Sequence, residues 1–212
     1  MKTLPKTLCL LVLLALAAAC GNDDGDYLPP YRQELCEVQT DAAGIVAYVR
    51  FDDGTDHFPV NVYSCGLRDT LFRAYAVFEP TADGVRLSRV SPVLAITPVA
   101  AGSVTLRTDP LLCRAAWRGG RYLNLLLTLQ SGSNAARHVL GVVDEGITAA
   151  PSGTRTLHLR LYHDQNGDTR HYSRDTYLSC RLDAYAGRLA TGDSIALQVA
   201  EADGVRTLRL AY

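Results

Sequence analysis

The stretch His163–Asp168, HDQNGD, sets Asp164, Asn166 and Asp168 at alternate positions, the way oxygen ligands open a calcium-binding loop. The remainder of such a loop is missing. An EF-hand loop needs glycine in sixth place and a bidentate glutamate in twelfth. Counting from Asp164, Gly167 is fourth and Asp175 is twelfth. Asn166-Gly167 has instead the residue types that tolerate the positive φ of a tight hairpin turn. A turn is the expectation here, and no metal or cofactor is assigned.

The five histidines, His57, His138, His158, His163 and His171, include no HExxH pair and so no zinc-protease signature. If Asn166-Gly167 closes a two-residue hairpin, Tyr162 faces His171 and His158 faces Asp175. His158, Arg160, Tyr162, His171, Ser173 and Asp175 would then share one polar face. That face is either a binding surface carrying arginine and aromatic groups or the wet side of an edge hairpin. Ser64 and Ser179 lack the GxSxG setting of an activated nucleophile. Asp52 and Asp53 precede Gly54 and suit a turn better than acid–base chemistry. No glycine-rich loop joins a strand to a helix to hold phosphate. No catalytic residue is therefore assigned, and the chain is expected not to be an enzyme.

Cys36, Cys65, Cys113 and Cys180 contain no CxxC pair, which excludes a zinc ribbon or thioredoxin-type site. Disulfides within each half, Cys36 with Cys65 and Cys113 with Cys180, are one expectation; buried free thiols are the other. Trp117, before Gly119-Gly120, reads as a packing residue at a domain junction. Tyr27, Tyr31, Tyr162, Tyr172 and Tyr177 fall in tether or hairpin positions.

The elements that must position these groups are strands. Leu123, Leu125, Leu127 and Leu129 alternate with polar partners, as do Leu157, Leu159 and Leu161, and Leu178, Cys180 and Leu182. Period two, interrupted by Gly, Asp, Asn and Pro, is the pattern of half-buried strands. Hairpins are expected around Asp53-Gly54 and Asp83-Gly84, with a further strand near Val93–Val99. The fold class is all-β: a small OB-like five-stranded barrel over residues 31–105, then an antiparallel β-sandwich over 106–212.

The N-terminus carries Lys2 and Lys6, an apolar run from Leu8 to Ala19, and then Cys20. That run is too short to cross a hydrocarbon core about 30 Å thick. The small residues Ala17–Ala19 directly before Cys20 resemble a lipobox, so residues 1–19 read as a signal peptide and Cys20 as the lipidation site. Residues 20–30, with Asp23, Asp24 and Asp26, form an acidic tether that resembles the surface-export signal of Bacteroidota lipoproteins. Of 21 basic residues the leader takes both lysines. That leaves nineteen arginines against 22 acids, a net of −3. This balance argues against nucleic acid as a partner.

WRGGRYLNLLLTLQ (Trp117–Gln130), LHLRLYHDQNGD (Leu157–Asp168) and YLSCRL resemble the C-terminal domain of NigD-like lipoproteins, and RFDDGTDHFPV resembles that family's first domain. The resemblance implies an OB domain followed by a β-sandwich and brings no established activity. The expectation is a lipid-anchored outer-membrane protein that displays two β modules to an envelope protein or a glycan. A structural envelope component without soluble ligand is the alternative, and an unrecognised hydrolase the less favoured one.

Overall fold

The computed structural model describes residues 30–132 and 138–212, and Arg32–Tyr212 form one unit. Cys20 and the acidic tether lie outside the described residues. The period-two segments fold as strands. β1 (Arg32–Thr40), β2 (Val46–Phe51), β3 (Asp56–His57), β4 (Leu71–Thr81) and β5 (Gly84–Pro92) make a five-stranded sheet in the order β3-β2-β1-β4-β5. Both expected hairpins form. At the first, Gly54 takes φ 88° and Asp53 accepts hydrogen bonds from the Thr55 amide and hydroxyl at 2.8 and 2.6 Å.

The sheet curls toward closure where the chain after β3 returns to β5. Val60 N donates to Val85 O at 2.9 Å and Val85 N to Phe58 O at 3.1 Å, a parallel bridge that yields a partly open barrel. Gly84, at φ 150°, permits this approach, since a Cβ there would lie 2.2 Å from Phe58 O. Cys36, Val38, Val49, Ala74, Ala76, Phe78 and Leu87 fill the interior.

One element differs from the expected barrel. The Val93–Val99 region supplies β6 (Leu94–Ile96), and β7 (Val99–Ala100) follows; neither joins the barrel. β6 pairs with β12 and β7 with β10, so the sandwich begins near residue 94, short of the expected boundary after residue 105. The sandwich continues with β8 (Leu112–Gly119), β9 (Tyr122–Ser131), β10 (Val139–Ala149), β11 (Arg155–Asp164), β12 (Tyr172–Arg181), β13 (Ser194–Glu201) and β14 (Gly204–Ala211). One sheet runs β14-β13-β11-β10-β7, the other β6-β12-β9-β8. Their facing leucines, from Leu123–Leu129, Leu157–Leu161 and Leu178–Leu182 with Ile195 and Leu197, form one core.

The four cysteines of the described chain are free thiols. For Cys113 and Cys180 the reason is geometric. Cys113 and Cys180 lie on β8 and β12, on opposite sides of β9, paired with Leu127 and Leu123 respectively. Two strand spacings and four residues of stagger put their Cα atoms roughly 15 Å apart, whereas a disulfide needs less than about 7 Å. Cys36 is fully buried among the barrel's apolar side chains, and Cys65 packs half-buried on the same cluster. All four act as small hydrophobes.

Barrel and sandwich are joined by charge. On β4, Ala74, Ala76 and Phe78 point into the barrel, so Arg73 and Tyr75 point out toward β9 and β12. Arg73 is only 3% exposed. Its guanidinium forks onto Asp52 at 2.6 and 2.8 Å, and also donates to Asn124 Oδ1 and Ser179 Oγ, each at 3.2 Å. Asn124 in turn donates to Asp52 at 3.1 Å and accepts from the Ser179 hydroxyl at 2.7 Å. Tyr122 lies under Arg73, its ring centroid 4.2 Å from the guanidinium carbon, and its hydroxyl donates to Glu37 at 2.6 Å. Asp52 is thus an ion-pair partner as well as a residue beside a turn. Trp117 meets Tyr177 edge-on, and Tyr177 stacks on Tyr75 with centroids 5.1 Å apart, in keeping with a packing role at the junction.

Two outcomes are expected. Alkylation of the unfolded, unreduced protein should label Cys36, Cys65, Cys113 and Cys180 alike; a pair resistant to alkylation would show a disulfide. Arg73→Ala should cost about 3 kcal/mol in urea unfolding, because it strips the buried Asn124 and Ser179 of a partner and removes the counter-charge of the part-buried Asp52. Combined with Asn124→Ala the losses should be non-additive, as for members of one network. Additive losses would mean that the junction does not couple the domains.

Candidate functional site

The six residues expected on one face do not meet as a hairpin. Asn166 and Gly167 do form the turn, at φ 52° and 73°, with Asn166 N donating to Asp164 Oδ1 at 2.7 Å. The strands it joins belong to different sheets. β11 already has β10 and β13 along its two edges, and β12 has β6 and β9, so neither has an edge free for the other. His158 hydrogen-bonds Thr148 at 2.8 Å and Arg160 pairs with Glu145 at 2.6 Å on one sheet. Asp175 pairs with Arg114 at 3.2 Å and accepts from Thr128, while Ser173 accepts from Gln130 at 2.9 Å, on the other. Tyr162 joins Ile96, Val99, Val104 and Val139 along an apolar groove of about 300 Å³. His171 is exposed beside Gly132.

A different set of residues comes together at the sandwich's opposite margin. β8 pairs only with β9, and β14 only with β13, so both are edge strands. They run side by side in the same direction: Arg206 of β14 donates to the Cys113 carbonyl of β8, and Arg118 of β8 lies 4.5 Å over the ring of Tyr212, just past β14. Between them is a groove of about 550 Å³ lined by Arg114, Arg118, Arg206 and Arg209, with Trp117 beside it. Arg206 is tied to Glu201 at 2.9 Å and Arg114 to Asp175. Arg118 and Arg209 are exposed, and among the described residues neither is ion-paired. The groove therefore offers two available guanidinium groups beside a strand with open backbone hydrogen-bonding groups. No local pattern signals it, because its residues come from segments about 90 positions apart.

Other polar clusters are satisfied internally. The cleft of about 240 Å³ at the domain junction is lined by Glu37, Arg50, Asp52 and Arg121. There Arg50 binds Asp56, Asp52 binds Arg73, and Arg121 binds Glu37 and Asp183. Burial opposes the charge on Glu37, but hydrogen bonds from Tyr122 and Arg121 outweigh it and hold the carboxyl below its ordinary value. Burial pushes the Cys36 and Cys180 thiols up to about 12, which leaves them protonated and inert as nucleophiles. Among the described residues no group of three or more His, Cys, Asp or Glu is placed to hold a metal ion.

Asp168, first considered as a ligand, anchors a hydrogen-bonded chain instead. It accepts from Ser131 Oγ at 2.7 Å and lies 3.2 Å from His138 Nε2. His138 Nδ1 is 2.8 Å from His163 Nε2, and His163 Nδ1 is 2.8 Å from the Asp109 carbonyl. A carbonyl only accepts, so His163 Nδ1 donates to Asp109. The Ser131 hydroxyl chiefly holds the Asp168 carboxyl at about 2, against burial and with help from the Gly132 amide, His138 and the Thr169 amide. Burial pushes His163 down from 6.5.

Both shifts have the same sign in acid: the unfolded chain takes up protons that the folded chain refuses. Stability should fall as pH drops below 6.5, through His163, and again from 3.8 toward 2, through Asp168. Urea midpoints against pH should show both declines, with Asp168→Asn flattening the lower one. A parallel profile for that variant would remove Asp168 from the account.

Residues 94–212 match the family model of the NigD-like C-terminal beta sandwich domain, and the match begins at the first residue of β6. Solved structures similar to the chain include the following three. A NigD-like immunity protein from Bacteroides caccae is 24% identical over 86% of this chain and 93% of that one, with a TM-score of 0.65. A putative toxin related protein from Parabacteroides distasonis is 16% identical over 86% and 93%, TM-score 0.67. A putative lipoprotein from Bacteroides fragilis is 14% identical over 87% and 98%, TM-score 0.62. No curated protein matches. At such identities these structures share the fold, and no catalytic family is indicated. The family match spans more than half of the chain, and the protein belongs to the NigD-like family.

Proposed function

We propose that the chain is a lipid-anchored outer-membrane protein, held by a diacylated Cys20, that acts by binding an envelope protein or glycan and not by catalysis. The observation that carries this reading is an open arginine-lined groove on a single unit formed by the two domains. The Arg121–Glu37 ion pair and hydrogen bonds from Arg73 to Asn124 and Ser179 join barrel to sandwich, while Arg118 and Arg209 remain available at the β8–β14 margin. The apolar leader ending on Cys20 supports the anchor, and the acidic tether supplies reach beyond it. The description of the Bacteroides fragilis relative as a putative lipoprotein fits this anchoring. That of the Bacteroides caccae relative as an immunity protein fits action by binding.

The test has two arms. The chain purified from its envelope should carry a diacyl group on Cys20, and Cys20→Ala should leave the membrane fraction. The immobilised chain should capture a glycan from an array of envelope and host glycans, or one protein from total envelope extract, saturably. Retention of the Cys20→Ala chain at the membrane overturns the anchor; no saturable capture in either screen overturns the binding role.

A further inference from the structure

The two edges of the groove are not equivalent. β8 is broken by a bulge between Cys113 and Ala115, a device that spoils an edge for pairing. β14 pairs with β13 over its whole length, Ser194–Glu201 against Gly204–Ala211, without a shift in register. It is eight residues long and largely exposed, with Val205 66% exposed. Every second residue of such an edge turns its amide and carbonyl away from the sheet, at the spacing of another polypeptide strand.

The charges on that edge select its occupant. Leu208 and Leu210 pack on the core, so Arg206 shares their inward side and Arg209 takes the opposite face. Arg118 reaches the groove from β8. A second copy of β14 laid antiparallel on the first would gather four arginines at one seam with no carboxylate from either strand, which is repulsive. An acidic strand would find a guanidinium on each face, and guanidinium–carboxylate contacts are charge-assisted and often bidentate. A polysaccharide would meet the arginines yet leave the backbone groups of β14 without partners at the matching spacing.

Resting on the binding role proposed above, we propose that β14 is the docking edge for an extended acidic segment of a partner protein. The segment adds to the sheet as an eight-residue strand along Gly204–Ala211 and seats its carboxylates on Arg118 and Arg209.

The test uses the full chain purified from its envelope in detergent and a peptide as long as β14, Thr-Glu-Glu-Val repeated twice. Fluorescence anisotropy should show saturable binding, weakened about tenfold by Arg118→Gln combined with Arg209→Gln, as expected for two lost charge-assisted contacts. Both side chains are exposed, and circular dichroism of the variant should match the parent. N-methylation of alternate peptide amides separates strand addition from charge alone. One methylated set should abolish binding and the other should leave it intact. Equal binding by both sets overturns strand addition. So does binding of polygalacturonate in preference to the peptide, or loss of the groove to self-association measured by sedimentation. Failure of the peptide while envelope or glycan capture persists overturns this inference alone; failure of both overturns the binding role with it.

Discussion

The guanidinium of Arg73 occupies a position that neither domain could make dry by itself. On an isolated barrel it would stand on the outer side of β4 in water, and on an isolated sandwich Asn124 and Ser179 would stand in water too. Docking removes all three from solvent, with Asn124 and Ser179 fully buried. That is tolerable only because each group gains partners: Asp52 and Asn124 answer Arg73, Ser179 answers both, and Glu37 answers Tyr122. Burying charge is unfavourable unless it is paired and hydrogen-bonded. A polar seam of this kind also has directional demands that an apolar seam lacks. The bonds that cross the seam, from Arg73 to Asn124 and Ser179 and from Tyr122 and Arg121 to Glu37, have fixed directions, and displacing one domain along the other would break them together.

The Gly119-Gly120 turn is the steric counterpart of that seam. Gly120 has φ 53°, and a Cβ there would lie 2.6 Å from the Asp52 carbonyl. A Cβ on Gly119 would lie 2.1 Å from the Asp52 carboxylate. The turn between β8 and β9 thus fits against the residue that holds Arg73, and two glycines let backbone approach backbone where a side chain would hold the domains apart. Cores that stay separate, one inside the barrel and one between the sandwich sheets, behave as one unit because this contact is close and its charges are answered.

The apolar half of the structure was legible in the sequence. Leucines at alternate positions point to the core in β9 and β11, and the turns at Asp53-Gly54, Asp83-Gly84 and Asn166-Gly167 lie where their residue types require. Strand partners were less legible, because period two fixes which face is buried and says nothing of which strand lies alongside. β11 and β12 are neighbours in sequence joined by a proper turn, yet each is flanked by other strands. The face built from His158, Arg160, Tyr162, His171, Ser173 and Asp175 dissolved for that reason. The strand expected near Val93–Val99 likewise reads as the last of the five-stranded barrel until the parallel pairing of Leu94–Ile96 with β12 is seen. Arg73 was invisible for a different reason. An arginine at outward parity between Phe72 and Ala74 reads as solvated, and only the docked sandwich turns it into a buried ion.

The same junction decides where recognition can occur. It covers the outer side of the β9–β12 sheet, and on the opposite sheet His158 and Arg160 already have partners in Thr148 and Glu145. What remains is the sandwich margin, where sheets end and backbone groups stay open. Exposed edges invite unwanted pairing, and proteins commonly blunt them with lysine. Beyond its leader this chain has no lysine, so arginine must fill that role. Arginine repels another arginine-bearing edge as lysine would, but its planar fork also matches a carboxylate in two contacts where an ammonium makes a point contact. An edge protected by arginine is therefore closed to its own kind and open to an acidic strand.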